Sequence, residues 1–503
     1  GYHVQIIKLS KLIEECYPPE DLPKVQEGPN EGQSKLERAV KLQDLGDTLR
    51  RKYGAHAISS LVVRKIRDAR SGKEIGEEKL AFILDSIKHE EEVSLLRHVY
   101  DNSFRLIAVH CERSRRESRL IGSRASSAKY RGAEKDSVLL YLDRDEKDAN
   151  KKFGQQVRNA FYLGDYFLNN NVPTTDGLRL AHDVSRFTDL VLDRKLVRPT
   201  AQESGMFAAS AAALQSSCLS RQVGAALQTP DGRIVSVGTN EVPKFGGGTY
   251  VEGSIPDHRC FKWETEVPDD DGKQVSFTGC HNARLKRNLR LKISSWLAKK
   301  FAAPLSDAIY PKKDGEIEFA IKERNKAKEI IEDRFLRSFA DFDDMPGVGD
   351  LIEYSRAIHA EMNAVISAAR QGVSPEGTTL YTTTFPCHNC ARHLVTAGVY
   401  FVYYIEPFVK SLAQVLHHDS IKTELPDKAT GAEPVVQTHM YVVPFTGVGP
   451  RMYEYYFRKM SNLKNDTTGL FIPPDGSEVK FGVRLRMLEN VEEAAIDLVK
   501  LDA

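Results

Sequence analysis

Short apolar runs separated by a helical pattern mark the N-terminal part of the chain. Residues 4–7, 80–85 and 104–110 are such runs, and residues 35–52 follow the 3.6-residue period of a helix. Strands that alternate with helices are typical of a parallel sheet, because each parallel connection needs a crossover. The pattern therefore predicts a parallel α/β domain. The composition then becomes rich in Ala and Ser, so we place a domain boundary between residues 198 and 199.

A second pattern of helices and strands follows that boundary. It predicts a domain over residues 199–503 that contains a charged insertion at about 254–350. The turn Pro230-Asp231-Gly232 should join two neighbouring strands. The predicted elements are a helix at 206–220, strands at 223–228 and 233–238, a helix at 316–337, a helix at 357–370, a strand at 378–384, a helix beginning near Cys387 and a strand at 400–405.

Composition and charge restrict the kind of protein. The 503 residues are 41% hydrophobic and 28% charged, and they contain no apolar run of about 18 residues, so we expect no membrane span. The 71 Lys and Arg nearly balance the 70 Asp and Glu, whereas a polynucleotide-binding protein usually carries a basic excess. Seven unevenly spaced cysteines favour a reducing cytoplasm. In that setting a close cysteine pair suggests a metal site.

The strongest chemical signal is His359-Ala360-Glu361 followed by Pro386-Cys387-His388-Asn389-Cys390. This order matches the H-x-E…P-C-x-x-C signature of zinc deaminases. A catalytic zinc ion takes three protein ligands and keeps a fourth position for water. We predict that His359, Cys387 and Cys390 bind Zn²⁺ and that Glu361 carries protons. A Cys-x-x-Cys or a His-x-Glu alone would say little, and the combination is what makes the signal specific.

A segment after the predicted boundary narrows the substrate. Ser217-Cys218-Leu219-Ser220-Arg221-Gln222-Val223-Gly224-Ala225, followed by Val237-Gly238-Thr239-Asn240, resembles the opening of deoxycytidylate deaminases. That resemblance implies a cytidine-deaminase α/β/α sandwich in which Asn240 hydrogen-bonds the sugar of the nucleotide. The alternative is that Asn240 is a turn residue ahead of Pro243.

Two further segments extend the resemblance over nearly the whole chain. Residues 404–411 and 444–451, together with a P-loop-kinase-like N-terminal half, resemble the bacterial phage-defence dCTP/dCMP deaminases. The resemblance implies hydrolysis of free deoxycytidine nucleotides, with depletion of dCTP during infection. It also implies substrate contacts from Ala360, Tyr404, Lys410 and Arg451, and Arg451 could present its guanidinium to phosphates. A surface turn is the alternative for Lys410 and Arg451.

A second group of metal-binding residue types precedes the main motif. It could supply a structural zinc site, although its spacing is not standard and free buried cysteines are the simpler alternative. Its members are Cys218, His258, Cys260, Cys280 and His281.

The N-terminal half resembles P-loop nucleotide kinases through an acid-bearing strand at residues 83–89 and a possible lid helix with Arg113, Arg115, Arg116 and Arg119. The chain contains no G-x-x-x-x-G-K-[ST] motif, so we expect any phosphate loop to lie upstream of Gly1. A solvated helix face explains the arginines equally well.

The sequence therefore predicts a cytoplasmic, zinc-dependent deaminase of deoxycytidine nucleotides that forms a homo-oligomer. A regulatory nucleotide or RNA could bind its N-terminal half. Two alternatives stay open: a polynucleotide cytidine deaminase, which needs a basic groove with stacking aromatic residues, and a non-enzymatic zinc-stabilised regulatory module. Glu361 disfavours the second alternative, because a structural zinc site needs no proton carrier.

Overall fold

The chain forms two compact units in its computed structural model. The first contains residues 1–207, 403–407 and 443–503, and the second contains residues 208–402 and 408–442. The structure describes residues 2–22, 31–71, 79–121, 133–146, 148, 153–171, 177–269, 272–309, 318–340, 354–407, 411–425, 437–459, 462–474 and 485–499.

Strands and helices alternate through the first two hundred residues, as the apolar pattern predicts. Two short 3-10 helices, Pro19–Asp21 and Asp101–Ser103, lie between them. The elements are β1 (His3–Lys8), α1 (Leu9–Glu14), α2 (Glu31–Tyr53), α3 (Ala57–Arg70), β2 (Leu80–Asp85), α4 (Glu90–Tyr100), β3 (Ile107–His110), α5 (Arg113–Ile121), α6 (Ala133–Glu146), α7 (Val157–Phe161), β4 (Tyr166–Asn169), α8 (Gly177–Val191) and α9 (Ala201–Ala213).

The rest of the chain contains most of the second unit and then returns to the first. The elements are β5 (Gly224–Gln228), β6 (Ile234–Thr239), β7 (Thr265–Pro268), β8 (Gln274–Phe277), α10 (His281–Ile309), α11 (Glu318–Ala340), α12 (Ala360–Arg370), β9 (Thr379–Thr384), α13 (His388–Thr396), β10 (Phe401–Glu406), α14 (Ala413–Leu416), β11 (Ile421–Lys422), β12 (Met440–Pro444), β13 (Gly447–Val448), α15 (Pro450–Phe457) and α16 (Leu485–Asp497).

Parallel pairing is present in the first unit, but in two small sheets. Strand β1 pairs with β2 in parallel, and β3 pairs with β4 in parallel while β13 joins β4 antiparallel. A buried apolar cluster holds helices α1 to α4 together with the C-terminal helix α16, through residues such as Val62, Leu96 and Leu488. The mixed α/β class is confirmed, whereas a single P-loop-kinase-like sheet stays a prediction.

A six-stranded sheet in the order β11-β12-β10-β9-β5-β6 carries the elements that lead to the predicted metal ligands. Strand β5 lies between β6 and β9 and is antiparallel to both. All five residues of β5 are buried. Burial on both faces suits a central strand covered by helices on each side.

Helix α12 lies unusually close to strand β6. A Cβ atom added to Gly238 would come within 2.2 Å of the Ala360 carbonyl oxygen and 2.4 Å of the Ala364 nitrogen. Only glycine permits this approach, since real Cβ contacts are never so short. The close packing sets the position of the α12 N-terminus, where three of the predicted site residues lie.

The structure corrects several predicted boundaries. The third predicted strand begins at Ile107 rather than at residue 104, and the helix predicted at 206–220 spans Ala201–Ala213. The insertion contains two long helices instead of the one predicted: α10 was not predicted, and α11 corresponds to the predicted helix at 316–337. The predicted boundary at 198/199 stays a prediction, while contacts divide the chain after Phe207 and group residues 443–503 with the first unit. Among the described residues, no helix is long and apolar enough to cross a membrane.

Candidate active site and metal centre

Two helix N-termini bring the predicted zinc ligands together. His359 is the N-cap of α12 and Cys387 is the N-cap of α13, and both have extended backbone conformations. The Cys387 Sγ atom accepts a hydrogen bond from the Cys390 backbone N–H at 3.4 Å. The positive end of a helix dipole favours a thiolate at this position. A strand-to-helix turn thus places two sulfur atoms on one side of α13.

The three side chains converge with distances that suit zinc. The His359 Nδ1 atom lies 3.3 Å from Cys387 Sγ and 3.4 Å from Cys390 Sγ. Tetrahedral zinc with Zn–S near 2.3 Å and Zn–N near 2.05 Å requires an S···N separation of about 3.6 Å. Among the residues that the structure describes, this is the one group of three or more such side chains whose ligand atoms all lie within 4.8 Å of one another. The donor set therefore fits a catalytic zinc ion.

The protonation of the thiols also prepares the site for a cation. Hydrogen bonds from Cys390 and His359 lower the pKa of Cys387 from its ordinary value to about 4. The pKa of Cys390 is raised instead, because its proton is shared with Cys387 and the thiol is buried. The hydrogen bond to Cys387 raises the pKa of His359. One thiolate is therefore already present before any metal binds.

Glu361 lies beside this group without belonging to it. Its side chain is only 4% exposed, and burial raises the pKa of its carboxyl. The Oε2 atom is 3.6 Å from Cys390 Sγ. A buried carboxyl with a raised pKa holds a proton more readily than an exposed one, which suits a group that acts as both general acid and general base.

Asn240 uses both ends of its side-chain amide to hold the neighbouring backbone. Its Oδ1 atom accepts a hydrogen bond from the Val223 N–H at 2.7 Å, and its Nδ2 atom donates to the Arg221 carbonyl at 2.8 Å. The side chain thus fixes the loop that precedes β5. Its contact with a sugar stays a prediction.

The other predicted substrate residues are distributed over both units. Ala360 is fully buried in the second unit beside β6, whereas Tyr404 and Arg451 belong to the first unit. Arg451 donates to the buried carboxylate of Asp165 at 2.9 Å, so its guanidinium already has an anionic partner. Burial raises the pKa of Tyr404. Lys410 lies outside the described residues, and the substrate roles of all four residues stay predictions.

The second group of predicted zinc ligands is only partly assembled. Burial raises the pKa of Cys260, and the neighbouring thiols of Cys280 and Cys218 raise it further. The ring of His258 packs edge-on against Trp263, which in turn stacks on His281. Within the described part of the chain, these five ligands do not form a group with all ligand atoms inside 4.8 Å. A zinc ion here stays a prediction.

Two contacts near the metal ligands were not predicted from the sequence. The Arg221 guanidinium lies 3.4 Å from Thr384 Oγ1, at the end of the strand that leads into Cys387. Ser411 Oγ donates to the Pro386 carbonyl at 2.8 Å, directly before Cys387. Arg221 and Ser411 both lie inside segments that carry the family resemblance. That location was the only sequence signal that could have pointed to them.

The donor set and the buried carboxyl have the residue types and order of the zinc-deaminase signature. Residues 308–406, about a fifth of the chain, match the cytidine and deoxycytidylate deaminase zinc-binding region. The C-terminal part of the chain therefore contains a cytidine-deaminase-like domain, and zinc is its cofactor.

Individual relatives are similar over a short stretch of the chain. ComE operon protein 2 of Bacillus subtilis is 41% identical over 54 residues, which is 11% of this chain and 29% of that protein. Deoxycytidylate deaminase of Enterobacteria phage T4 is 44% identical over 54 residues, which is 11% of this chain and 28% of that protein. The chain thus matches less than a third of the length of either relative.

A solved structure gives a broader but weaker similarity. The dCMP deaminase of cyanophage S-TIM5, in complex with dCMP and dUMP, covers 50% of this chain and 99% of its own, with 16% identity and a TM-score of 0.24. A likeness at this score supports no conclusion about the fold.

Proposed function

We propose that this protein is a zinc-dependent deaminase that converts free dCTP, dCMP or both into the corresponding deoxyuridine nucleotides and ammonia. The observation that carries the proposal is the convergence of His359, Cys387 and Cys390 beside the buried carboxyl of Glu361. A site that only stabilised the fold would gain nothing from burying an ionisable group next to its ligands.

Each residue has a defined task in this reaction. A bound zinc ion would supply Lewis-acid activation of the attacking water. Glu361 accepts the proton of that water as its oxygen bonds to C4 of cytosine. The same carboxyl delivers that proton to the ring nitrogen N3, then takes the second proton from the new C4 hydroxyl and passes it to the 4-amino group. The C4–N4 bond breaks, ammonia leaves and the C4 carbonyl forms. Burial supports this role, because it raises the pKa of Glu361 and makes its protonated form accessible.

Selectivity for a nucleotide is supported by two residues around the loop before β5. Asn240 is positioned by backbone hydrogen bonds on both sides. Arg221 places an exposed guanidinium close to Thr384, so a phosphate group held at this site has a cation within reach. The net charge of +1 supports small free substrates over a polynucleotide.

The wider biological role belongs to the same proposal. Consumption of dCTP would deprive an infecting phage of a DNA precursor, as the resemblance to phage-defence deaminases implies. Assembly into a homo-oligomer, a cytoplasmic location and control by a nucleotide or RNA bound to the first unit also rest on that resemblance and on the sequence.

The decisive experiment offers one panel of substrates to the purified zinc-loaded protein. The panel contains dCTP, dCMP, deoxycytidine and a single-stranded DNA oligonucleotide rich in cytosine, and ammonia and deaminated products are measured. We expect the free nucleotides to be consumed and the oligonucleotide to remain intact. Deamination of the oligonucleotide alone would favour a polynucleotide deaminase, and no product from any substrate would favour a regulatory zinc module. The Glu361→Gln variant is the matched control.

A further inference from the structure

The short segment before His359 is held at two points, and one of them is a single arginine. The Arg356 guanidinium carbon lies 3.9 Å from the centroid of the Trp263 ring, and its Nη1 atom donates to the His258 carbonyl at 3.1 Å. The other point is a backbone hydrogen bond of 3.1 Å from the Ile358 N–H to the Glu241 carbonyl. No role in the chemistry has been assigned to Arg356.

The surface on which Arg356 packs is formed by residues of the insertion that also contact one another. Trp263 stacks on His281 with ring centroids 5.4 Å apart, and its backbone N–H donates to the Arg259 carbonyl at 2.8 Å. The edge of the His258 ring also contacts Trp263. A planar guanidinium can lie flat on the indole and still donate sideways to a carbonyl, which a lysine ammonium cannot do. The geometry of the contact is therefore specific to arginine.

The side-chain position of His359 depends on the segment before it more strongly than the position of a residue inside a helix would. His359 is an N-cap residue whose side chain makes no capping hydrogen bond, so the helix itself does not orient its imidazole. The Nδ1 atom nevertheless has to stay within about 3.6 Å of two sulfur atoms for all three to bind one zinc ion. The Ile358 hydrogen bond holds the backbone beside His359, and the Arg356 contact holds the segment that leads up to it. Movement at residue 356 would therefore change the orientation of the backbone that carries the imidazole.

We propose that Arg356 is a positioning residue that fixes His359 in the zinc site by docking the 356–359 segment onto Trp263 and the His258 carbonyl. The consequence for turnover rests on the proposed function, whereas the consequence for zinc retention does not. Loss of a group that orients a metal ligand typically costs 10- to 100-fold in metal affinity or activity.

The test compares variants of the full-length, zinc-loaded protein. Two properties are measured for Arg356→Ala, Arg356→Lys and Arg370→Ala. The first is the rate at which zinc is released to an excess of chelator, and the second is the kcat and KM for dCTP and dCMP. Arg370 lies at the other end of α12, where it donates to the Gly246 carbonyl, and it serves as the matched control. We expect Arg356→Ala to release zinc roughly tenfold faster and to lose a similar factor in kcat with little change in KM.

The Arg356→Lys variant and a variant of Trp263 distinguish a positioning role of Arg356 from a general loss of protein stability. Arg356→Lys should recover part of the loss, since it keeps a charge and a donor but not the stacked plane. Trp263→Leu should accelerate zinc release as well, and the double variant should be no worse than the stronger single variant because both remove one contact. If Arg356→Ala does not fold, Arg356→Lys and Trp263→Leu carry the test.

Two outcomes would overturn the inference. One is an Arg356→Ala protein that retains zinc and kcat as Arg370→Ala does, and the other is additivity of the Arg356 and Trp263 effects on zinc release. A wild-type protein that holds zinc but deaminates nothing would refute the proposed function, while the comparison of zinc release would still decide the role of Arg356.

Discussion

At the scale of single residues, Glu361 and Cys390 lie 3.6 Å apart but have separate tasks. Replacement of Glu361 by Gln removes the proposed proton carrier and keeps the side-chain volume. Turnover should therefore fall by a factor of about 10²–10⁴, with one zinc ion still bound at the His359 site. Metal analysis and ammonia release measure the two effects.

Replacement of Cys390 by Ser should instead lose both the metal and stability, since bound metal contributes to folding.

The thiol of Cys387 provides a second prediction, which applies to the zinc-free protein. Hydrogen bonding in the folded state lowers its pKa from 9.0 to about 4. The folded protein therefore keeps a thiolate where the unfolded chain would bind a proton. This stabilisation is complete above pH 9 and diminishes as the pH falls toward about 4.

Ultraviolet thiolate absorbance of the zinc-free protein measures this titration. We expect one thiolate at neutral pH that is lost near pH 4 and is missing from the Cys387→Ser variant. A wild-type signal that appears only in the alkaline range would contradict the prediction.

The sequence identified the candidate metal ligands that the structure brings together, but not the residues that hold them in place. His359, Glu361, Cys387 and Cys390 stand in a motif whose spacing follows from zinc chemistry. Arg356 acts through Trp263, which lies far away in the chain and carries no spacing rule. For Arg451 the motif predicts a phosphate contact, which stays a prediction, whereas its hydrogen bond to the distant Asp165 could not be predicted from the sequence.

At the scale of elements, the insertion was the hardest region to predict. Helix α10 packs along α11, yet it has no continuous apolar face and contains Pro304. Its buried positions are Ser294, Ala298, Ala302 and Ser306, all small residues. Hydrophobic periodicity cannot reveal a helix whose buried side is made of alanine and serine. Helix α12 and strand β9, which flank the zinc motif, were predicted at 357–370 and 378–384 and span Ala360–Arg370 and Thr379–Thr384.

Small residues at these positions lead to a packing prediction. Ala302 is fully buried, so Ala302→Leu should overpack α10 and destabilise the protein by about 1–3 kcal/mol. Ala308 is exposed on the same helix, and Ala308→Leu is the matched control, expected to be nearly neutral. Urea unfolding measures both variants. Equal stability of the two would show that the buried side of α10 tolerates a larger side chain.

At the scale of the whole molecule, the number of zinc ions distinguishes the two candidate metal sites. We expect one ion per chain, because the ligand atoms converge only at His359, Cys387 and Cys390 among the residues that the structure describes. Metal analysis of the wild type and of the Cys260→Ser variant checks this. Two ions in the wild type and one in the variant would establish the second site at Cys218, Cys260 and Cys280.

The C-terminal helices determine how the chain can be divided. Helix α16 is part of the buried cluster of the N-terminal helices, and Glu492 on α16 is fully buried. Its carboxylate accepts hydrogen bonds from Arg70 and from the Tyr100 hydroxyl. The sequence analysis assigned residues 443–503 to the C-terminal domain. A change in composition marks one boundary along the chain, but it does not show that a later segment packs against an earlier one.

A fragment of residues 199–503 should therefore fold poorly although it contains the complete zinc motif. Removal of residues 1–198 exposes the apolar side of α16, including Leu488 and Ala495, together with Val499 just after it. It also leaves the Glu492 carboxylate without Arg70 and Tyr100. We expect the fragment to bind a hydrophobic dye and to lack the cooperative thermal transition of the full chain. A fragment ending at residue 446 is the matched control, since it keeps β12, omits β13, α15 and α16, and should expose less apolar surface. If residues 199–503 alone unfolded as cooperatively as the full chain, α16 would not depend on the N-terminal helices for its stability.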